Sequence, residues 1–234
     1  MEQLNERSYT GTTNPTSILS KVMCRVYAKM FLALIVTACT ALYVVSNEAV
    51  LTTLLGSRGL FLGLIIAELA VVFIISGRID KLRPATATLL FYLYALLNGV
   101  VLSSIFIIYE LPSIAYTFFI TAGVFGAMSI YGLITKNDMT KFGNYCIMAL
   151  FGLIIASLVN IFMHSESLDW IISLVGVALF IGLTAWDTQK IKEASYNADP
   201  SQVGKLATIG ALSLYLDFIN LFLYLLRFFG KSRD

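Results

Sequence analysis

The chain has 234 residues and is 58% hydrophobic but only 13% charged, with a mean hydropathy of +0.83. A soluble domain of this size is about 45–50% apolar and about 25% charged, so the composition excludes a soluble globular fold. It assigns an all-α integral membrane protein, and the net charge of +2 gives no basis for a nucleic-acid partner. The first twenty residues, MEQLNERSYTGTTNPTSILS, are polar and read as a disordered tail. They lack the apolar core and small-residue cleavage site of a signal peptide, so the first apolar stretch is read as an uncleaved membrane helix. Seven apolar windows follow: Val22–Val45, Leu60–Ser76, Ala85–Tyr109, Pro112–Ile134, Tyr145–Met163, Leu168–Trp186 and Leu206–Phe229.

The prolines support those boundaries. Pro15, Pro84, Pro112 and Pro200 lie outside the windows or at their edges, where the missing N–H and fixed φ are tolerated. Connections are short except for Asp187–Lys205, and no soluble domain is inserted. The expected organisation is a tail over 1–20, a seven-helix membrane domain over 21–230 and a short C-terminal tail over 231–234. Three cysteines, Cys24, Cys39 and Cys146, lie in apolar stretches without CxxC spacing and read as buried core thiols.

Orientation follows from lysine and arginine. With the N-terminus in the cytoplasm, the inner segments carry Lys21, Arg25 and Lys29, then Arg78, Lys81 and Arg83. Lys136 and Lys141, and finally Lys190, Lys192 and Lys205, follow on the same side. The outer loops carry only Arg58, which fits the positive-inside rule. Arg227, Lys231 and Arg233 at the far end oppose it, but the last apolar run has no central Gly or Pro break, so it is read as crossing. Small size and short loops point to a bacterial plasma membrane.

The chemistry lies in the acids at membrane depth: Glu68, Asp187 and Asp217. Asp217 shares one helical face with Ser213, Asn220 and Tyr224, at i−4, i+3 and i+7. A carboxylate there costs about 2.5–3.5 kcal/mol on insertion scales, so it must be buried against partners or used. Asp187 closes the sixth window, and tilt or a late helix start brings the two carboxylates to similar depth. Spacing alone leaves open a pair or two separate structural groups. As a pair they cannot both ionise cheaply, and they titrate as a unit. They would share a proton when acid, and repel or take up a hard cation such as Ca²⁺ when alkaline. Arg78, at the inner end of the second helix, is a candidate counter-ion, although arginine at a helix end commonly snorkels to lipid phosphate. Glu68 is a candidate second way-station for a cation or proton, or else a protonated structural group. Asn98 and Asn160 read as interhelical hydrogen-bonders.

Enzyme classes fit poorly. The single histidine, His164, has no HExxH context, and no GxxxxGK[ST] loop is present. The residues before Asp217 are Leu214, Tyr215 and Leu216 rather than the glycines of GxGD intramembrane proteases. The last window has no lysine for a retinal Schiff base. No cofactor is expected.

Two stretches carry a resemblance to a known family: AWDTQKI (Ala185–Ile191) and LSLYLDFINLFLYLLRFFG (Leu212–Gly230). They are similar to the motifs of the Bax inhibitor-1 family, with Trp186 in place of the usual tyrosine. The resemblance covers about residues 20–230 and implies a bundle whose last helix is central, wrapped by six others. It also implies a di-aspartyl pH sensor at Asp187 and Asp217, latched by an arginine that Arg78 matches best by position, and a pH-sensitive Ca²⁺ leak. The expected partners are therefore lipid, Ca²⁺ and protons. The alternative is a non-conducting interaction protein that modulates a membrane protease or a cell-death partner.

Overall fold

The computed structural model describes residues 15–79 and 81–233. Among them the chain forms α1 (Pro15–Ser46), α2 (Glu48–Gly56), α3 (Arg58–Arg78), α4 (Pro84–Leu102), α5 (Ile105–Ile108) and α6 (Leu111–Ile134). They are followed by α7 (Thr140–Met163), α8 (Glu166–Tyr196) and α9 (Val203–Phe229). Seven helical segments are long and apolar enough to cross a bilayer, with α4 and α5 counting as one. Their ends follow local chemistry. Asn47, Ser57 and Ser165 cap α2, α3 and α8 by accepting from Val50, Leu60 and Leu168 N–H. Prolines occupy the first turns of α4 and α6, and His164 closes α7 in the left-handed region at φ 49°. The break between α4 and α5 falls at Ser103 and Ser104, whose hydroxyls donate back to the carbonyls of Val100 and Val101.

Three boundaries differ from the sequence expectation. Helix α1 starts at Pro15, so residues 15–20 are helical rather than tail, and residues 1–14 lie outside the described part. Helix α2 occupies what reads as a loop. Helix α8 runs to Tyr196, ten residues past the sixth apolar window. Its extension is amphipathic: Ile191 and Ser195 are buried while Lys190 and Glu193 are exposed, a face pattern that a hydropathy window averages away.

The last helix is the axis of the bundle. Sixty-seven per cent of the α9 window is buried, against 6% for α3 at the periphery. Helix α9 packs on α8, α1, α6 and α4, whereas α3 packs on α4 and α2. Glycines set the closest approaches, because a Cβ at Gly132 would strike Ala185 and Thr188, and one at Gly143 would enter the Trp186 indole. Two of the three cysteines depart from expectation. Cys146 is buried, but Cys24 and Cys39 are exposed, since in a bilayer the apolar side of α1 faces lipid as readily as the core.

The C-terminal segment does not hang free. Glu110 N–H donates to Lys231 O (2.9 Å) and Arg233 N–H to Ile108 O (2.8 Å). Tyr109 and Ser232 form an antiparallel bridge, and Lys231 pairs with Glu110 at 3.0 Å. The turn between α5 and α6 closes the third span, so the C-terminus lies on the face opposite the start of α1, and α9 crosses completely. We call the face where α1 begins the near face and the other the far face.

Candidate functional site

The polar stripe read on the last helix lines one cavity. Ser213, Asp217, Asn220 and Tyr224 of α9 face Trp186, Asp187 and Lys190 of α8 across a space of about 620 Å³. Helix α7 supplies the third wall with Ile147, Leu150, Ile154 and Ser157. It packs on α8 rather than α9, which is what leaves the space between them. The length of α8 decides the depth. Because the helix continues to Tyr196, Asp187 lies nine residues inside its end, about 14 Å along the axis. Asp217 lies fourteen residues into α9, about 21 Å from its start.

The two carboxylates are close enough for the charge of Asp187 to act on Asp217. Asp217 is buried at 4% exposure, and its Oδ2 has no hydrogen-bond partner among the described residues. Asp187 faces the cavity, where the Ser213 hydroxyl reaches it from one turn before Asp217 and the Lys190 ammonium acts on it electrostatically. Lys190 also lies 4.9 Å over the Trp186 ring. Asn220 donates its amide N–H to Leu216 O (2.8 Å), leaving its carbonyl oxygen free. The oxygen atoms on its walls are hard donors: two carboxylates, the hydroxyls of Ser157, Ser213 and Tyr224, and one amide carbonyl. That set suits Ca²⁺, which takes 6–8 oxygens including water, and the two negative charges match its own.

The residues after Asp187 hold the near face together. Gln189 Nε2 donates to Asn137 O (2.8 Å) and its Oε1 accepts from Met139 N–H (2.9 Å). Together these bonds clamp the turn between α6 and α7. Lys192 Nζ donates to Leu133 O (2.6 Å) and caps α6, where the last carbonyls have no helical partner. The clamp and the cap have a signal in sequence only as polar residues at a helix end, where they read as an interface marker.

Two other residues marked from sequence lie elsewhere. Arg78 is exposed at the end of α3 and forms no ion pair among the described residues. Helix α3 touches neither α8 nor α9 to any extent, so the structure does not bring Arg78 to the aspartates. The cation at the pair is Lys190. Glu68 is buried halfway along α3, with Oε1 unpartnered, and its side chain meets Asn98. Asn98 Oδ1 accepts from Tyr215 OH at 3.1 Å, and Tyr215 OH lies 2.6 Å from Thr37 Oγ1. Positions 215 and 217 are about 200° apart on a helix, so Glu68 serves the opposite side of α9 from the Asp217 cavity. Asn98 bonds across helices as read, whereas Asn160 accepts locally from Ser165 N–H (3.1 Å).

Comparison with known proteins now decides the lineage. Residues 19–234 match the family described as Inhibitor of apoptosis-promoting Bax1. The chain belongs to this family. Among its relatives is the inner membrane protein YbhL of Escherichia coli K12, 50% identical over 222 residues and covering 94% of this chain and 95% of YbhL. An uncharacterized protein of Rickettsia prowazekii is 45% identical over 234 residues, covering 97% of this chain and 99% of its own. One from Borreliella burgdorferi is 44% identical over 219 residues, covering 93% and 94%. As a member of the family, the chain is a multi-pass integral membrane protein embedded in the bilayer.

Proposed function

We propose that the protein is a pH-sensitive, Ca²⁺-permeable leak channel gated by Asp187 and Asp217. The observation that carries this reading is the convergence of two carboxylates from adjacent helices on one cavity, one of them with a buried and unpartnered oxygen. When the two share a proton, a hydrogen bond ties α8 to α9 and the path is shut. Loss of that proton leaves two charges in a poorly solvated space. Repulsion is then relieved by Ca²⁺, by Lys190 or by separation of the helices. Glu68, on the other side of α9, is a second place along the axis where a cation or proton can rest. We place the protein in a bacterial inner membrane with the near face in the cytoplasm, as the concentration of Lys and Arg there favours. The reaction needs no cofactor, and Ca²⁺ is its cargo.

The test is Ca²⁺ flux into liposomes of pure protein across mildly acidic to mildly alkaline pH. The parent should conduct more as pH rises. Asp187→Asn and Asp217→Asn should flatten the profile and weaken Ca²⁺ binding. Mutants that keep the parent's profile, or a parent with no flux, overturn the reading, and absence of flux favours the non-conducting modulator.

A further inference from the structure

A second cavity is lined almost wholly by apolar side chains. It is a groove of about 260 Å³ walled by α1, α5 and α6 and floored by α9. Helices α1 and α6 both pack on α9 but hardly on each other, so the groove is a gap between them, open sideways to the bilayer. Its α1 wall runs from Leu34 to Leu42 and its α6 wall from Leu111 to Phe119. Each spans nine residues, or about 12 Å parallel to the helix axis. The floor is aromatic: Phe118 packs on Phe218 with ring centroids 5.3 Å apart and on Phe222 at 6.3 Å. The one polar side chain in the wall, Thr37, turns its hydroxyl away toward Ala33 O, Ala95 O and Tyr215 OH. Nothing in the groove can hydrogen-bond an occupant.

The far end of the groove is different. Phe106 of the wall accepts a hydrogen bond at its carbonyl from the Arg233 guanidinium (3.4 Å). The backbone bonds of the C-terminal segment to Ile108 and Glu110 fix Arg233 at this mouth. Arg233 is exposed and forms no ion pair among the described residues. Most of its five N–H donors therefore remain directed at the headgroup level. Lys231, two residues earlier, is also exposed.

We propose that this groove is a binding site for a glycerophospholipid of the far-face leaflet, with one acyl chain lying in the groove and its phosphate on Arg233. Both halves of the site match one molecule. A dry apolar slot parallel to the bilayer normal takes a hydrocarbon chain. A planar guanidinium at its mouth, with most of its donors beyond the one bond to Phe106 O, suits a phosphate oxygen pair. A free fatty acid shares the chain but not the phosphate, and a second protein helix shares neither the width nor the charge.

The experiment is native mass spectrometry of the full chain, stripped of lipid in detergent and titrated with phosphatidylglycerol, then with a fatty acid of the same chain length. Ala38→Trp and Ala115→Trp each put bulk into the groove from exposed positions and so leave the buried core untouched. The expected result is one tightly retained phospholipid on the parent and a loss of affinity of about tenfold or more in either tryptophan variant. Arg233→Ala should weaken phosphatidylglycerol severalfold. A helical spectrum and monodisperse elution show that each variant is folded. Equal phospholipid retention by the parent and the folded tryptophan variants overturns the site. Fatty acid binding as tight as phospholipid, or insensitivity to Arg233→Ala, overturns the headgroup half of the proposal.

Discussion

Gln189→Ala should loosen the near face without touching a carboxylate. The side chain is buried at 4% exposure and makes two backbone hydrogen bonds to one turn, at 2.8 Å to Asn137 O and 2.9 Å from Met139 N–H. At about 1 kcal/mol net for each bond, the truncation costs about 2 kcal/mol. For a chain of this size, about 2–4 °C of melting temperature is lost per kcal/mol, so the drop should be about 4–8 °C. Gln189→Glu separates the two bonds: it keeps the acceptor for Met139 N–H but sets a charge against the Asn137 carbonyl. The assay is thermal unfolding in detergent, together with thiol labelling of Asn137→Cys. Labelling should quicken in the Gln189→Ala background as the turn detaches. A melting temperature within about 1 °C of the parent, with unchanged labelling, would refute the clamp.

Two further substitutions probe the packing around α9. Gly143→Ala drives a methyl into the Trp186 ring, so the indole must move, at a cost of about 1–3 kcal/mol. Its fluorescence should shift, and Trp186→Ala in the same chain should recover stability. Tyr215→Phe removes the hydroxyl that donates to Asn98 Oδ1 and meets Thr37 Oγ1 inside the bundle. It should cost about 1–3 kcal/mol by thermal melt, and an unchanged melt would show that those groups find other partners.

The seven crossings were legible because a bilayer demands long apolar runs and because the prolines lie outside those runs or at their edges. The aspartate pair was half legible. The stripe Ser213, Asp217, Asn220 is periodic and therefore visible, but its meeting with Asp187 depends on how far α8 continues. The polar extension to Tyr196 hides that. Arg78 shows what sequence cannot carry. Its place at the end of a span is readable, but the side of the bundle on which α3 packs is set by tertiary contacts. Exposed Cys24 and Cys39 make the same point, since in lipid an apolar residue reveals nothing about which way it faces. The groove between α1 and α6 had no signal, because it consists of contacts that are not made.

The central position of α9 bears on how the protein is made. Of the nine helices among the described residues, the one around which the others pack leaves the ribosome after the other eight. Until it arrives, Thr37 and Asn98 have no tyrosine hydroxyl to bond, and Asp187 has no Ser213. The earlier spans must therefore wait in the bilayer as a loose, incompletely bonded set, held by pairwise contacts such as α1 with α4 and α7 with α8. Assembly of the bundle is thus completed only once α9 has joined it. A chain interrupted anywhere before Val203 leaves membrane helices without their axis.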